Sequence, residues 1–267
     1  MTKMQFPGRA VRAEALKKTR SDMVEYCRAL DADQWLLPSK AQGWLVRDVV
    51  AHLGASSRVI FTPASIGMLF TRDIEGWNES GVEQRRERPT WEVLDEFETW
   101  SRRAITLATT VSATPLAHAR MPIGELGAFP MGVMLAGALG FDQYAHLHHD
   151  IAPAVGVPAP PPNAAQLDVA IGWMGAVLAN QLRKAPMKRV DAPVNLELTG
   201  PGGHEWHIDS SGSLAEGFSW SYGAKVSARA GSFVSWGTKR TAWRDADVSI
   251  TGDCDLAERV LDAINVV

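Results

Sequence analysis

The chain has 267 residues, of which 46% are apolar and 21% charged, and its formal net charge is −3. That length suits one large domain or two ordinary ones. The slightly acidic balance argues against a nucleic-acid partner held by bulk electrostatics. The longest apolar run, Met131 to Phe141, is too short to span a bilayer. The opening stretch, MTKMQFPGRAVRAEALKK, lacks the apolar core of a signal peptide. A cytoplasmic location without a membrane partner is therefore expected. Cys27 and Cys254 form no Cys-x-x-Cys pair and read as small buried hydrophobes, so a metal would have to rely on His, Asp and Glu. The basic pairs Lys17-Lys18 and Arg85-Arg86 are flanked by acids and read as solvated faces.

In chain order, Leu16, Met23, Cys27 and Leu30 mark a first helix that ends near DADQW. A second helix starts near Val46, with Val49, Val50 and Leu53 at helical spacing and Asp48 in its first turn. A polar loop centred on WNESGVEQRRERP follows. Thr90 is placed as the N-cap of a third helix whose Leu94, Phe97 and Ile105 face inward. Pro130 fits the first turn of a fourth helix running to about Ile151. Four helices with polar connections suggest a bundle over residues 1–152. Trp35 and Trp44 flank loops that enter helices and are expected to pack.

Five prolines within residues 153–162 predict a stiff linker, placed at 153–164. Beyond it, Leu167, Ile171, Met174, Leu178 and Leu182 form a helical stripe. Val194, Leu196 and Leu198 then alternate with polar residues as a half-buried strand does. The turn GPGG leads to a return strand carrying Trp206 and Ile208. The strand DVSI precedes a last helix from Asp255, where Asp255 and Glu258 have capping-box spacing. Residues 165–267 thus read as a small α+β domain.

The chemistry concentrates in two helices. His52, in GWLVRDVVAHL, sits at the border of an apolar stripe, half facing the core. In FDQYAHLHHDI, Asp142 and His146 stack at i, i+4, and His149, at i+7, shares their face. That face continues the apolar stripe of Met131, Leu135 and Ala138 and so points into the bundle. An inward carboxylate is costly unless it is paired or bound to a metal. His52, Asp142 and His146 form a candidate three-ligand site suited to zinc, nickel or ferrous iron. The alternative is an Asp–His hydrogen bond with no metal. His148 is expected at the surface near Tyr144. His118, His204 and His207 have no such partners in sequence.

Taken together, GWLVRDVVAHLG, the segment WNESGV…RRERPTWEVLDEF, the Asp-x-x-x-His helix and the ending GTKRTAWRDADVSITGDCDLAERVLDAINVV resemble the mycothiol-dependent maleylpyruvate isomerase family over nearly the whole chain. The resemblance implies an N-terminal DinB-like four-helix bundle followed by a sterol-carrier-like α+β domain. It also implies a divalent metal, most simply zinc, on His52, Asp142 and His146. Asp142 stands where the family pattern has Glu, and Leu45 stands where a capping Thr is common. The additional His148 and His149 leave the ligand register open. A C-terminal-domain arginine near the family's site is matched here by Arg240. The activity implied is a mycothiol-dependent isomerisation or S-transfer on a small electrophilic substrate such as an enoyl or keto acid. A non-catalytic small-molecule or lipid-binding protein with a structural metal is the alternative. The two differ in whether His149 or Asp150 closes the metal shell, since a catalytic site keeps a position open.

Overall fold

The computed structural model describes residues 5–188 and 190–266, and their contacts divide the chain into two compact units. One comprises Gly8–Pro162; the other joins residues 5–7 to the segment that begins at Asn163. The class is α+β, with a helical unit followed by a mixed one.

In the helical unit, α1 (Arg9–Arg28) buries Leu16, Met23 and Cys27. A short turn buries Trp35 and leads to α2 (Val46–Val59). The apolar stripe of α2 (Val46, Val49, Val50 and Leu53) enters one core with Met23, Cys27, Trp35, Val93, Phe97, Leu147 and Ile151. Next come α3 (Ala64–Phe70), α4 (Ile74–Glu83) and α5 (Thr90–Val111). Thr90 is the first residue inside α5 and Pro89 is the cap. Gly54 sets the approach of α2 to α5, because a Cβ there would lie 3.3 Å from the Phe97 backbone nitrogen. A hairpin, β1 (Arg120–Ile123) with β2 (Gly127–Pro130), feeds α6 (Met131–Ala145).

The end of this unit departs from a simple helix. Residues His146–Ile151 form a π-helical turn, and α7 (Ala152–Val155) follows. Part of the expected linker is thus structured: Ala154, Val155 and Ala159 pack on the bundle core, and Tyr26 Oη donates to the Val157 carbonyl at 2.6 Å.

The segment expected to be a polar loop instead holds α4. Asp73 caps it by accepting from the Gly76 N–H at 2.8 Å. Only Val82 of this helix is buried, so it carries almost no apolar periodicity to read. Arg85, expected on a solvated face, is only 6% exposed. Cys254 is exposed rather than buried, at the start of the last helix.

In the second unit, α8 (Ala164–Lys184) is opened by a reciprocal capping box between Asn163 and Gln166. Then follow β3 (Val194–Thr199), β4 (His204–Ile208), β5 (Leu214–Glu216), β6 (Ala224–Arg229), α9 (Ala230–Gly237), β7 (Ser249–Gly252) and α10 (Cys254–Ala263). The sheet order is β5-β4-β3-β6-β7, and β3 pairs with β6 in parallel while the other neighbours are antiparallel. The last helix is capped by Asp253, not by the Asp255–Glu258 pair expected from spacing. Among the described residues, no single helix is long and apolar enough to cross a membrane.

Candidate metal centre

His52 leaves the second turn of α2 and is 5% exposed. The start of that helix is fixed by Asp48, whose carboxylate accepts from the Leu45 N–H at 3.0 Å. Leucine offers no side-chain acceptor to return the bond, so only half of a capping box is made. From the facing helix, α6 supplies Asp142 and, one turn later, His146 at the junction with the π turn.

The structure brings these three residues together. His52 Nε2 lies 3.3 and 3.4 Å from the two Asp142 carboxylate oxygens, and His146 Nε2 lies 3.3 Å from Asp142 Oδ1. All three donor atoms fall within 4.8 Å of one another. A charge-assisted hydrogen bond closes to about 2.7–2.9 Å, so these separations are long for direct pairing. They match the edge of a tetrahedron around an ion with bonds of about 2.0–2.1 Å, whose ligand atoms stand about 3.3–3.4 Å apart. Two imidazole nitrogens and a carboxylate at that spacing fit a divalent transition metal.

The surroundings hold the donors in place. Asp150, fully buried, accepts from His146 Nδ1 at 2.7 Å. That bond puts the proton on Nδ1 and leaves Nε2 as the lone-pair donor, as an outer carboxylate does for a ligating histidine. Asp150 therefore lies behind the ring, away from the other two donors. Ser56 Oγ stands 3.5 Å from His52 Nδ1. The Trp44 ring covers the pair at 5.1 Å from His52 and 6.3 Å from His146, held by its Nε1–H donating to Glu79 at 2.7 Å.

Burial pushes the Asp142 carboxyl up, but His52 and His146 outweigh it and hold the acid below the usual carboxylate range. Burial pushes His146 down, yet its bonds to Asp142 and Asp150 carry it up to about 9. Without an ion, His146 thus holds its proton at neutral pH. Metal binding must displace that proton, so metal affinity should rise with pH.

The register after His146 differs from the expected one. In the π turn each N–H bonds five residues back, so positions beyond it lag behind α-helical phase. His149 does not continue the Asp142 face; its ring meets Tyr144 edge-on at 5.9 Å. His148 is half-buried over Tyr144 at 4.6 Å rather than at the surface, and burial pushes it down to about 4. Arg240 belongs to the second unit, where its N–H donates to Ser235 O at 3.0 Å and its Nη1 to Thr238 Oγ1 at 3.0 Å. His204 stacks on Trp206 and His207 donates through Nδ1 to the Gly217 carbonyl at 2.7 Å, so both have structural partners.

A cavity of about 340 Å³ adjoins His52. It follows α2 through His52, Ala55, Ser56 and Val59, and α3, α4 and the turn after α4 supply the rest of its lining. Below it, Glu96 of α5 receives three arginines: Arg85 by two bonds of 2.7 and 2.8 Å, Arg58 at 3.0 Å and Arg88 at 2.9 Å. Burial pushes Glu96 up, but the arginines hold it below its ordinary range. The sequence did carry a signal for this cluster. Glu96 lies on the buried stripe with Val93 and Phe97, and an inward carboxylate requires a partner.

Replacement of Asp150 by Asn should lower metal affinity about 10- to 100-fold with little change in helical content. Competition against a chromophoric chelator measures it. Unchanged affinity would mean that Asp150 does not set the His146 ring.

A helical unit with a two-histidine, one-carboxylate cluster that could hold a metal ion, joined to an α+β unit, defines a bundle with a candidate metal site and a mixed partner domain. Residues 16–136 match the model of the mycothiol maleylpyruvate isomerase N-terminal domain. That segment lies within the helical unit and is less than half of the chain. Among solved structures, the chain is similar to the crystal structure of the mycothiol-dependent maleylpyruvate isomerase, at 14% identity and a TM-score of 0.60 over 95% of this chain and 97% of that one. It is similar also to a histidine-to-alanine mutant of that enzyme, at 13% identity and a TM-score of 0.59 over the same shares. Comparison with curated proteins gave no match.

Proposed function

We propose that the protein is a metal- and mycothiol-dependent enzyme, an isomerase or S-transferase acting on a small electrophilic substrate such as an enoyl or keto acid. The observation that carries this reading is the three-donor cluster of His52, Asp142 and His146 beside a cavity, with Asp150 turned to the far nitrogen of His146. A structural zinc site is closed by four protein ligands, whereas a catalytic one keeps a position open. His149 and Asp150, the residues placed to close the shell, are engaged elsewhere. This favours an enzyme over a binding protein with a structural metal.

His52, Asp142 and His146 would hold the ion, zinc being the simplest choice for this donor set. A bound divalent metal favours the thiolate form of a sulfur ligand, whose free thiol has a pKa of about 8.5. The chain's own residues do the rest. Asp150 fixes the tautomer of His146, and Trp44 limits water over the imidazoles. Asp142, held ionised by its two histidine neighbours, supplies the negative charge of the ligand set. Arg240 is proposed as a catalytic cation, on the family pattern. Its replacement by Ala should remove activity and leave metal content intact.

The test is conversion of maleylpyruvate by purified, metal-loaded protein with and without mycothiol, beside an S-transfer screen on alkyl and epoxide electrophiles. Thiol-dependent turnover in either assay supports the reading. A protein with full metal content that consumes neither substrate nor thiol would favour the binding protein.

A further inference from the structure

Three guanidinium groups converge on the single carboxylate of Glu96, leaving two positive charges in excess. The three arginines are not equivalent. Arg85 is buried and spends its donors inside the protein, with Nε and Nη2 on Glu96 and Nη1 on the Gly81 carbonyl at 2.7 Å. Arg58 and Arg88 each give Glu96 one nitrogen. Among the described residues, their remaining nitrogens have no acceptor. Their side chains are 44% and 35% exposed, and both line the cavity that begins at His52.

Among the described residues, the lining contains no Asp or Glu. It does contain neutral hydrogen-bonding groups, among them Ser56, Asn78 and Gln84. A volume of about 340 Å³ lies within the range of small-molecule sites, roughly 300–1,000 Å³. Glu96 has a second role here. By bonding one nitrogen of each exposed arginine it fixes both side chains, so little rotamer freedom is left for a ligand to remove. Guanidinium forks suit carboxylate and phosphate oxygens alike.

We propose that this cavity is a binding site for the anionic group of a small organic acid or phosphate, with Arg58 and Arg88 as the residues that take it. Arg58 follows His52 by six residues on α2, about 9 Å along the helix axis. A molecule held at both ends would carry its charge on the arginine side and its reacting part towards His52. The role of this site in substrate choice rests on the thiol-transfer reading; the anion site itself does not.

Succinate and inorganic phosphate are titrated separately, by calorimetry at low ionic strength, into the full-length protein as purified, with no thiol present. Saturable one-site binding of either anion is expected, and the tighter one identifies the class. Arg58→Met and Arg88→Met should each weaken it by about 10-fold or more, and Arg88→Lys by less. Arg102→Met, on the exposed face of α5, should leave it unchanged. Absence of binding for both anions, or folded Arg58 and Arg88 variants with wild-type affinity, would overturn the proposal; the latter result would place the anion elsewhere on the protein. Should a Met variant fail to fold, the arginine Nε–H resonances of the wild-type protein decide. Shifts at Arg58 and Arg88 support the site, and shifts confined to other arginines overturn it. Because no thiol is present, failure of the mycothiol reading would leave this result untouched.

Discussion

His52→Ala should abolish both metal content and thiol-dependent activity while leaving the helical fold largely intact. The ring is one of three donors within 4.8 Å, and the remaining Asp142 and His146 come from one helix only. Two donors hold a divalent ion poorly against water. Asp142→Ala and His146→Ala should have the same effect, and the double variants should be no worse than the singles, because a ligand set works as a unit. Asp142→Glu is the informative control. It restores the carboxylate of the family pattern, but the two histidines already stand 3.3 Å from the shorter side chain. Some loss of affinity, rather than complete loss, is expected. Metal analysis by mass spectrometry on dialysed protein reads each case. Full metal and activity in His52→Ala would reduce this residue to a hydrogen-bonded histidine at the edge of a core.

The largest stability effect should come from Glu96→Ala, at about 3–5 kcal/mol in denaturant unfolding. The carboxylate is 8% exposed and Arg85 is 6% exposed, so its removal leaves a buried guanidinium without its counter-charge. Replacing Glu96 and Arg85 together by apolar residues of similar volume should recover much of the loss. The pH dependence follows from the sign of the shift. The folded state holds Glu96 below its ordinary pKa, so its contribution is complete above that ordinary value and disappears as pH falls through the folded one. Glu96→Gln should therefore flatten the acid limb of the stability curve. A variant as stable as wild type, with the same acid limb, would show that the arginines find other partners.

The parts of the fold with strong periodicity were legible in the sequence. The stripes of α1, α2, α5 and α8 lie on the faces expected of them, and Trp35 is buried in the bundle core. What escaped was held by tertiary contacts rather than by pattern. Helix α4 has one buried residue, β5 has three residues in all, and β6 alternates through Ala224, Val226 and Ala228, where alanine gives a weak signal. The candidate metal centre was legible because Asp142 and His146 precede the break in α-helical phase. His148 and His149 follow it: His148 lies near Tyr144 as expected but half-buried, whereas His149 leaves the face on which an α-helical extrapolation put it. The π turn leaves no mark in composition. Glu96 on the buried stripe of α5 was the one sign of the arginine cluster; Arg85 and Arg88 were hidden because RRERP, a short basic run flanked by acids, is usually a solvated face.

The most direct measurement is the visible and near-ultraviolet spectrum of the cobalt(II)-substituted protein during titration with mycothiol. Cobalt reports both ligand number and sulfur coordination. A sulfur-to-cobalt charge-transfer band that grows to saturation at one thiol per metal, and is missing in His52→Ala, is the expected result. A cobalt spectrum that mycothiol leaves unchanged would show a shell closed to thiols and contradict the proposed chemistry.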